Sequence, residues 1–280
     1  MSEAAGGSRI AVVITFYCDD RFFPEALASV RSQTRPADEI VVVDDATPPG
    51  RGQTLTTLDP DIRLVRHPRN RGPGAARQTG ADATTSEFIA YLDADDVWLP
   101  AKLERQVALL EQDSAADATH TALITVRTDG RETAFLEKPR ILDLGSELVR
   151  NQVLPSALMI RRRALEAVGG WSPDRRLMED WDLTTRLVAT RHRVVFLPEP
   201  LVRFRRVGHG NLSSRGWLHL WSLLQTIWHH RRLYRDTLGL RRTLAVAGSV
   251  IRHEGFRRGR LSGRLLRVAG RALGAVPPRG

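Results

Sequence analysis

Phe88-Ile-Ala-Tyr-Leu-Asp-Ala-Asp-Asp-Val-Trp-Leu-Pro100 is the stretch on which the reading of this chain turns. The apolar run Phe88 to Leu92 ends abruptly in Asp93, Asp95 and Asp96. A short apolar run bounded this way predicts a strand buried on both faces of a parallel sheet. In open sheets of that kind, ligands bind beyond the carboxyl ends of the strands. Carboxylates one residue apart can converge on a hard cation where the chain turns out of the strand. Mg²⁺ or Mn²⁺, held by one or two carboxylates and substrate phosphates, is the chemistry such a site serves. The plainer alternative is an acidic turn leading to the helix that Leu99-Pro100 introduces. That alternative suits Asp96, whereas Asp93 and Asp95 are expected to be functional.

Working outward, Ile10 to Tyr17, Glu39 to Asp44 and Ile62 to Val65 repeat the strand pattern. Each well-formed strand ends in polar or acidic residues: Thr15, Asp44-Asp45, and Asp93-Ala-Asp95. Phe23, Ala26, Leu27 and Val30 recur at helical spacing, and Arg35-Pro36 closes that helix. The glycine-rich turn Asn70-Arg-Gly-Pro-Gly74 opens another helix through about Ala83. Strands alternating with helices at this rhythm predict an α/β fold with a parallel sheet and right-handed crossovers. Beyond a helix at Ala101 to Glu111 the pattern weakens. Thr121 to Arg127 and Ala157 to Ile160 are expected strands of a mixed region, and Ala164 to Val168 a short helix. An amphipathic helix is expected at Trp181 to Thr190, just after Glu179-Asp180. Val194 to Leu197 and Leu201 to Val207 are expected as two late strands, and arginine-rich helices from Leu212 onward.

Composition narrows the class. The 280 residues can bury a real core, and 42% hydrophobic with 26% charged residues argues against wholesale disorder. A single cysteine, Cys18, excludes an intramolecular disulfide framework and a cysteine-based zinc cluster. No secretory signal and no spanning helix is read, so a cytoplasmic protein is expected, either free or peripheral on the inner face of the cell membrane. The net charge of +10 is one-sided: Gly210 to Gly280 holds 14 arginines against Asp236 and Glu254. The body before it is near neutral. Such a basic tail suits an anionic partner, lipid headgroups or nucleic acid.

The motifs resemble those of the family 2 glycosyltransferases. The stretches that carry the likeness are Val12-Val-Ile-Thr-Phe-Tyr17, Ala26-Leu-Ala-Ser-Val-Arg-Ser-Gln-Thr34, Val42-Val-Asp-Asp45, Asn70-Arg-Gly72, Ala76-Arg77, Phe88 to Pro100, and Gly169-Gly-Trp171 followed by Glu179-Asp-Trp-Asp-Leu183. They span about Ile10 to Ser213, in the family's order. The resemblance implies a GT-A fold: a Rossmann-like, mostly parallel sheet flanked by helices, here with a basic helical C-terminal extension. It implies an inverting transfer from a nucleoside-diphosphate sugar to an acceptor hydroxyl, in cell-surface polysaccharide or glycoconjugate synthesis. Residue by residue, it implies that Thr15 and Phe16 line the nucleotide pocket and that Asp44 and Asp45 hold base and ribose. Arg77 would lie near the nucleotide, with Glu179 and Trp181 beside the substrates. Asp93 and Asp95 would bind Mn²⁺ or Mg²⁺, Asp95 the more directly, with His209 a further metal or diphosphate contact. Asp180 would be the general base. The sequence departs from the family pattern at Ile14-Thr15-Phe16-Tyr17-Cys18, which lacks a proline and an asparagine, and at Gln78, where asparagine is usual. Asp182 is expected to face away from the site and to stabilise the N-terminus of its helix.

The expected layout is a flexible segment 1–9, a catalytic domain over 10–212 and a basic helical segment over 213–280. The catalytic domain divides into a nucleotide half to about 100 and an acceptor half beyond it. The acceptor is a glycan, a lipid-linked glycan or a small molecule. Two rival functions compete with this one. A phosphatase of the haloacid-dehalogenase type would use Asp93-Ala-Asp-Asp-Val97, but its acidic box follows the first strand of the core, and its lysine would have to be Lys102 or Lys138. A non-enzymatic adaptor for membrane or nucleic acid would leave the acidic strand ends without purpose. In the tail, the stripe Trp217, Leu218, Leu220, Trp221, Leu224, Ile227 and Trp228 is expected to pack on the catalytic domain. Arg257 to Arg271 is expected to lie on anionic lipid. Aromatic residues for stacking on bases are sparse after Tyr234, which disfavours nucleic acid.

Overall fold

The computed structural model describes residues 8–18, 20–175, 177–205 and 216–258. The chain divides into two compact units, Met1–Asp143 with Asn151–Val207, and Leu144–Arg150 with Gly208–Gly280.

The first unit is built on one sheet. Its opening half runs β1 (Ile10–Phe16), α1 (Phe23–Arg31), β2 (Glu39–Asp44), β3 (Ile62–Arg66), α2 (Pro73–Asp82) and β4 (Phe88–Asp93). These four strands lie in the order β3-β2-β1-β4 and pair only in parallel. Successive side chains of a strand point to opposite faces, and here both faces are covered. Ile10, Val12, Ile14 and Phe16 join Phe23 and Val30 of α1 in one core cluster. Val13, with Ile89 and Tyr91 of β4, enters the other cluster with Ala76 of α2. Burial on both faces is why these strands read as continuous apolar runs rather than alternating ones. The parallel register sets Phe16 opposite Asp44 and Thr15 opposite Asp93, so the polar strand ends share one edge.

The second half is mixed. It holds β5 (Val97–Trp98), α3 (Lys102–Gln112), β6 (Ala118–Val126), β7 (Glu132–Phe135), β8 (Leu158–Arg161), α5 (Arg162–Ala167), α6 (Glu179–Ala189) and β9 (Val194–Arg205). From β4 the sheet continues β8-β6-β9-β5, with β7 also on β6. β8 is antiparallel to both neighbours, and β9 is parallel to β6.

Two expectations are corrected here. The two late strands are one strand, β9, which carries Pro198 and Pro200 through its length. It survives them because its register against β6 shifts on either side of Ala122, and because β5 pairs only with Val202 and Arg203 beyond the prolines. The helix expected from Trp181 begins two residues earlier, so Glu179 and Asp180 stand inside the first turn of α6. Three acidic residues in that turn, Glu179, Asp180 and Asp182, complement the positive end of the helix.

The second unit comprises α4 (Leu144–Val149), α7 (Gly216–His229) and α8 (Arg231–Arg258), the last broken at Gly239, whose φ is 73°. Its core gathers Leu148, Ile227, Tyr234 and Val246. Within the tryptophan stripe burial is divided: Leu220 and Ile227 are buried, whereas Trp221 and Trp228 are 61% and 70% exposed.

Candidate active site

The site grows from the ends of β1, β2 and β4. Asp93 leaves β4 half-exposed, and its Oδ1 accepts from Thr15 Oγ1 at 2.9 Å and from Arg77 Nη2 at 2.6 Å. Arg77, buried on α2, turns its other arm outward to Glu179, with Nη1 donating to Oε1 at 2.7 Å. Its guanidinium lies 5.0 Å from the ring of Trp171. One cation thus ties the end of β4 to the start of α6, with Arg77 and Glu179 standing 102 residues apart in sequence. The helices meet closely. A Cβ on Gly74 of α2 would stand 2.9 Å from Ser172 O and 3.0 Å from Glu179 Cβ, so no larger residue fits there without a shift. Met178, just before α6, holds a left-handed φ of 63°, a conformation costly for a side-chained residue and concentrated at functional sites.

Burial pushes the Glu179 carboxyl up to about 7, against the opposing pull of Arg77. Asp180 follows it, half-buried, with Oδ1 accepting from Trp181 N and Oδ2 from Asn151 Nδ2, both at 2.8 Å. Desolvation raises its pKa as well, again with Arg77 opposing. A carboxylate made more basic by its surroundings and held by two donors is suited to accept a proton.

Asp95 is half-buried beside Asp93, and its carbonyl accepts from Arg205 Nη1 at 3.2 Å. Asp96 is the internal member of the trio. Its Oδ2 accepts from Ser156 Oγ at 2.5 Å and its Oδ1 from Arg205 N at 3.0 Å. Ser156 Oγ in turn accepts from Asp93 N at 3.1 Å. Burial pushes the Asp96 carboxyl well up, with the charges of Asp95 and Asp93 adding to the shift. Asp96 is therefore more than an acidic turn: it fixes the loop that carries its two neighbours.

At the end of β2, Asp44 and Asp45 are both buried, and both carboxylates are committed to the protein. Asp44 accepts from Thr47 N at 2.9 Å and Arg66 Nε at 2.7 Å. Asp45 accepts from Arg71 N at 2.8 Å and Gly72 N at 2.7 Å, which fastens the glycine-rich turn to the sheet. The His67 ring bridges Asp45 at 2.7 Å and Thr79 Oγ1 at 2.9 Å.

Several expectations shift. Phe16 is 1% exposed and meets Phe23 edge-on at 5.1 Å, so its ring belongs to the core instead of lining a pocket. Trp181 is buried likewise. Asp182 stands in the first turn of α6. It is fully buried, accepts from Ser172 Oγ at 2.5 Å and pairs with Arg186 and Arg175. That network ties the first turn of α6 to the Gly170-Trp171 segment, where Arg186 Nη2 also donates to Gly170 O at 2.8 Å. Gln78, the residue that departs from the family pattern, accepts from Trp171 N at 2.7 Å. His209 lies outside the described residues. Sequence reasoning missed Asn151 and Ser156, which sit in the weakly patterned middle of the chain where no motif marks them.

The lysine that the phosphatase reading requires is absent from the site. Lys102 is fully buried, donating to Gln106 Oε1 at 2.7 Å over the Trp98 ring, and Lys138 donates to Gln152 O.

Comparison with known proteins gives the family and the fold. The model of the family "Glycosyl transferase family 2" matches residues 11–169. An uncharacterized glycosyltransferase of Nostoc sp. is 34% identical over 170 residues, 57% of this chain and 53% of its own length, so the chain matches about half of that relative. The amylovoran biosynthesis glycosyltransferase AmsE of Erwinia amylovora is 25% identical over 251 residues, 86% of this chain and 90% of its own. Among solved structures, residues 1–349 of S. aureus TarS in complex with UDP-GlcNAc superpose with a TM-score of 0.72 at 17% identity, covering 94% of this chain and 79% of that one. That likeness concerns the fold, which is GT-A. The matched family model covers β1 to α5, including Arg77, Asp93 and Asp95, and the chain is a glycosyltransferase belonging to glycosyl transferase family 2.

Proposed function

We propose that the protein moves a sugar, with inversion, from a nucleoside-diphosphate sugar to an acceptor hydroxyl of a glycan, lipid-linked glycan or small molecule at the cell's inner surface. The observation that carries this reading is the Arg77 bridge, which holds Asp93 at the donor end of the sheet next to Glu179 and Asp180 on α6. AmsE, which matches most of this chain's length, is named for amylovoran biosynthesis. TarS, which shares the fold, binds UDP-GlcNAc.

The donor set at Asp93 and Asp95 suits a hard divalent cation such as Mn²⁺ or Mg²⁺. All ligating atoms are carboxylate oxygens, and Asp93 takes both of its bonds on Oδ1, with no donor on Oδ2 among the described residues. Bound there, the cation would neutralise the charge of the departing diphosphate. The protein's own part is positional. Thr15 and Arg77 hold Asp93, Ser156 and Asp96 hold the loop of Asp95, and Asp44 and Asp45 hold the turns at Thr47 and Gly72 around the nucleotide. Asp180 takes the acceptor's proton at Oδ1 or Oδ2, oriented by Asn151 and the Trp181 amide.

The test is Asp95→Asn, assayed for donor turnover with Mn²⁺ and with chelator, alongside thermal stabilisation by a panel of nucleotide sugars. Asp95 is half-exposed, so the variant keeps its fold, loses turnover and loses the metal-dependent rise in Tm that donor gives the wild type. Near-wild-type turnover by this variant in chelator would overturn the metal site.

A smaller effect is expected at Asn151. Asn151→Ala removes the donor on Asp180 Oδ2 and should lower kcat about tenfold, the scale of one charge-assisted hydrogen bond, with the donor KM unchanged. A change in donor KM at constant kcat would make Asn151 part of the donor pocket instead.

A further inference from the structure

The unit made by α4, α7 and α8 buries one strip of side chains and leaves another to solvent. On α7 the exposed strip is Leu218, Trp221 and Trp228, at helical spacing, and α8 adds Leu240 and Leu244. Between these two helices runs a groove of about 980 Å³. Leu224, Leu240 and Leu244 line it with the two tryptophans, and Arg231, Arg232 and Arg235 stand on its rim. The Arg231 guanidinium lies 4.9 Å from the Trp228 ring centroid, so cation and indole present a joint surface. Contiguous exposed apolar surface of this kind, rimmed by charge, marks a binding face.

Charge decides between occupants. Residues 216–258 hold eight arginines against Asp236 and Glu254. A second copy of the chain would bring the same positive rim to the contact. The chain's own residues 259–280 carry five arginines and no acid, and would be repelled equally. The partner that fits has an anionic head and an apolar body. Tryptophan and arginine together on one amphipathic face suit the boundary between headgroups and acyl chains. Among the described residues no helix is long and apolar enough to cross a membrane, so such contact is made from the surface.

We infer that the α7–α8 groove is a docking face for anionic phospholipid at a bilayer surface, with Trp221, Trp228, Leu240 and Leu244 entering the acyl boundary and Arg231, Arg232 and Arg235 taking phosphates. Arg257 to Arg271, the membrane contact that the sequence suggests, lies outside the described residues beyond Arg258, and the α7–α8 face precedes it in the chain. It stands whether or not the transfer mechanism proposed above holds.

The experiment uses the full chain and vesicles of phosphatidylglycerol or of phosphatidylcholine. Sedimentation should show salt-sensitive binding to the first and little to the second. Replacing Arg231, Arg232 and Arg235 together by Gln should weaken that binding on the order of 10²-fold, since each arginine near an anionic surface contributes about a fivefold factor. Trp221→Ser with Trp228→Ser should weaken it roughly tenfold or more by removing the apolar insertion. Both side chains are exposed, so folding is not at stake, and circular dichroism checks it. Independently, acyl-brominated phosphatidylglycerol should quench the wild-type tryptophan fluorescence. Most of that quenching should vanish in Trp221→Phe/Trp228→Phe, which keeps the apolar surface. Vesicle binding that survives all these changes but is lost on ending the chain at Arg258 would overturn the inference in favour of the tail. So would a concentration-dependent dimer that the serine variants dissociate, since the groove would then take a second copy.

Discussion

Asp180→Asn should lose transfer by about 10²–10⁴-fold, the scale of a general base removed from a proton-transfer step. The amide keeps the shape of the carboxylate and can still accept from the Trp181 amide, so α6 should stay in place. Donor and metal binding, read by the donor's effect on Tm, should be unchanged, because Asp180 touches neither Asp93 nor Arg77 through a hydrogen bond among the described residues. Hydrolysis of the donor by water, which needs no acceptor proton removed, should fall much less than transfer. Equal loss of donor binding and transfer would assign Asp180 to the architecture of the site, not to its chemistry.

The second large effect is on stability. Arg77→Met deletes the cation between Asp93 and Glu179 and leaves the buried Glu179 carboxyl with no ion-pair partner among the described residues. Breaking a buried ion pair from one side costs about 3–5 kcal/mol, because the remaining carboxylate must either keep its desolvation penalty or take up a proton. Chemical unfolding should therefore show a markedly lower midpoint, and activity should fall with it as Asp93 loses a holder. Adding Glu179→Gln should restore part of the stability, since the residual charge is then gone, without restoring activity. A midpoint unchanged by Arg77→Met would show that the bridge is incidental.

Much of the parallel half was legible because burial on both faces leaves a distinctive mark. Ile10 to Phe16 and Phe88 to Leu92 have no polar side that could disguise them, and their acidic ends stand out by contrast. The carboxylates themselves were harder. Asp93, Asp96, Asp180 and Asp182 look alike in sequence, and what separates them is their partners. Those partners come from far away: Arg77 and Glu179 are 102 residues apart, and Asp96 is held by Arg205 N, 109 residues on. No local pattern reports such pairings, and the full burial of Asp182 among Ser172, Arg175 and Arg186 likewise shows only in the folded chain. Phe16 is a different case. The resemblance implied a place for it at the nucleotide pocket, whereas strand alternation sends its ring with Ile14 and Val12 to the face that α1 covers. The prolines of β9 broke one strand into two on paper because a proline's missing amide matters only where a neighbour would have accepted it.

The seam between β4 and β8 has a further consequence, for synthesis. β4 ends at Asp93, whereas β8, which pairs with its outer edge, begins at Leu158. At about 5–20 residues per second, the ribosome takes roughly 3–13 s to make what lies between. Throughout that interval, the nascent four-stranded sheet presents Phe88, Ile89 and Ala90 along an unpaired, hydrophobic border, the kind of template on which another chain can grow. A slow run of codons before residue 158 would lengthen that window and favour aggregation. Synthesis in the presence of a chaperone that covers extended apolar segments should therefore raise the soluble yield of this protein more than that of one whose β4 edge is closed early.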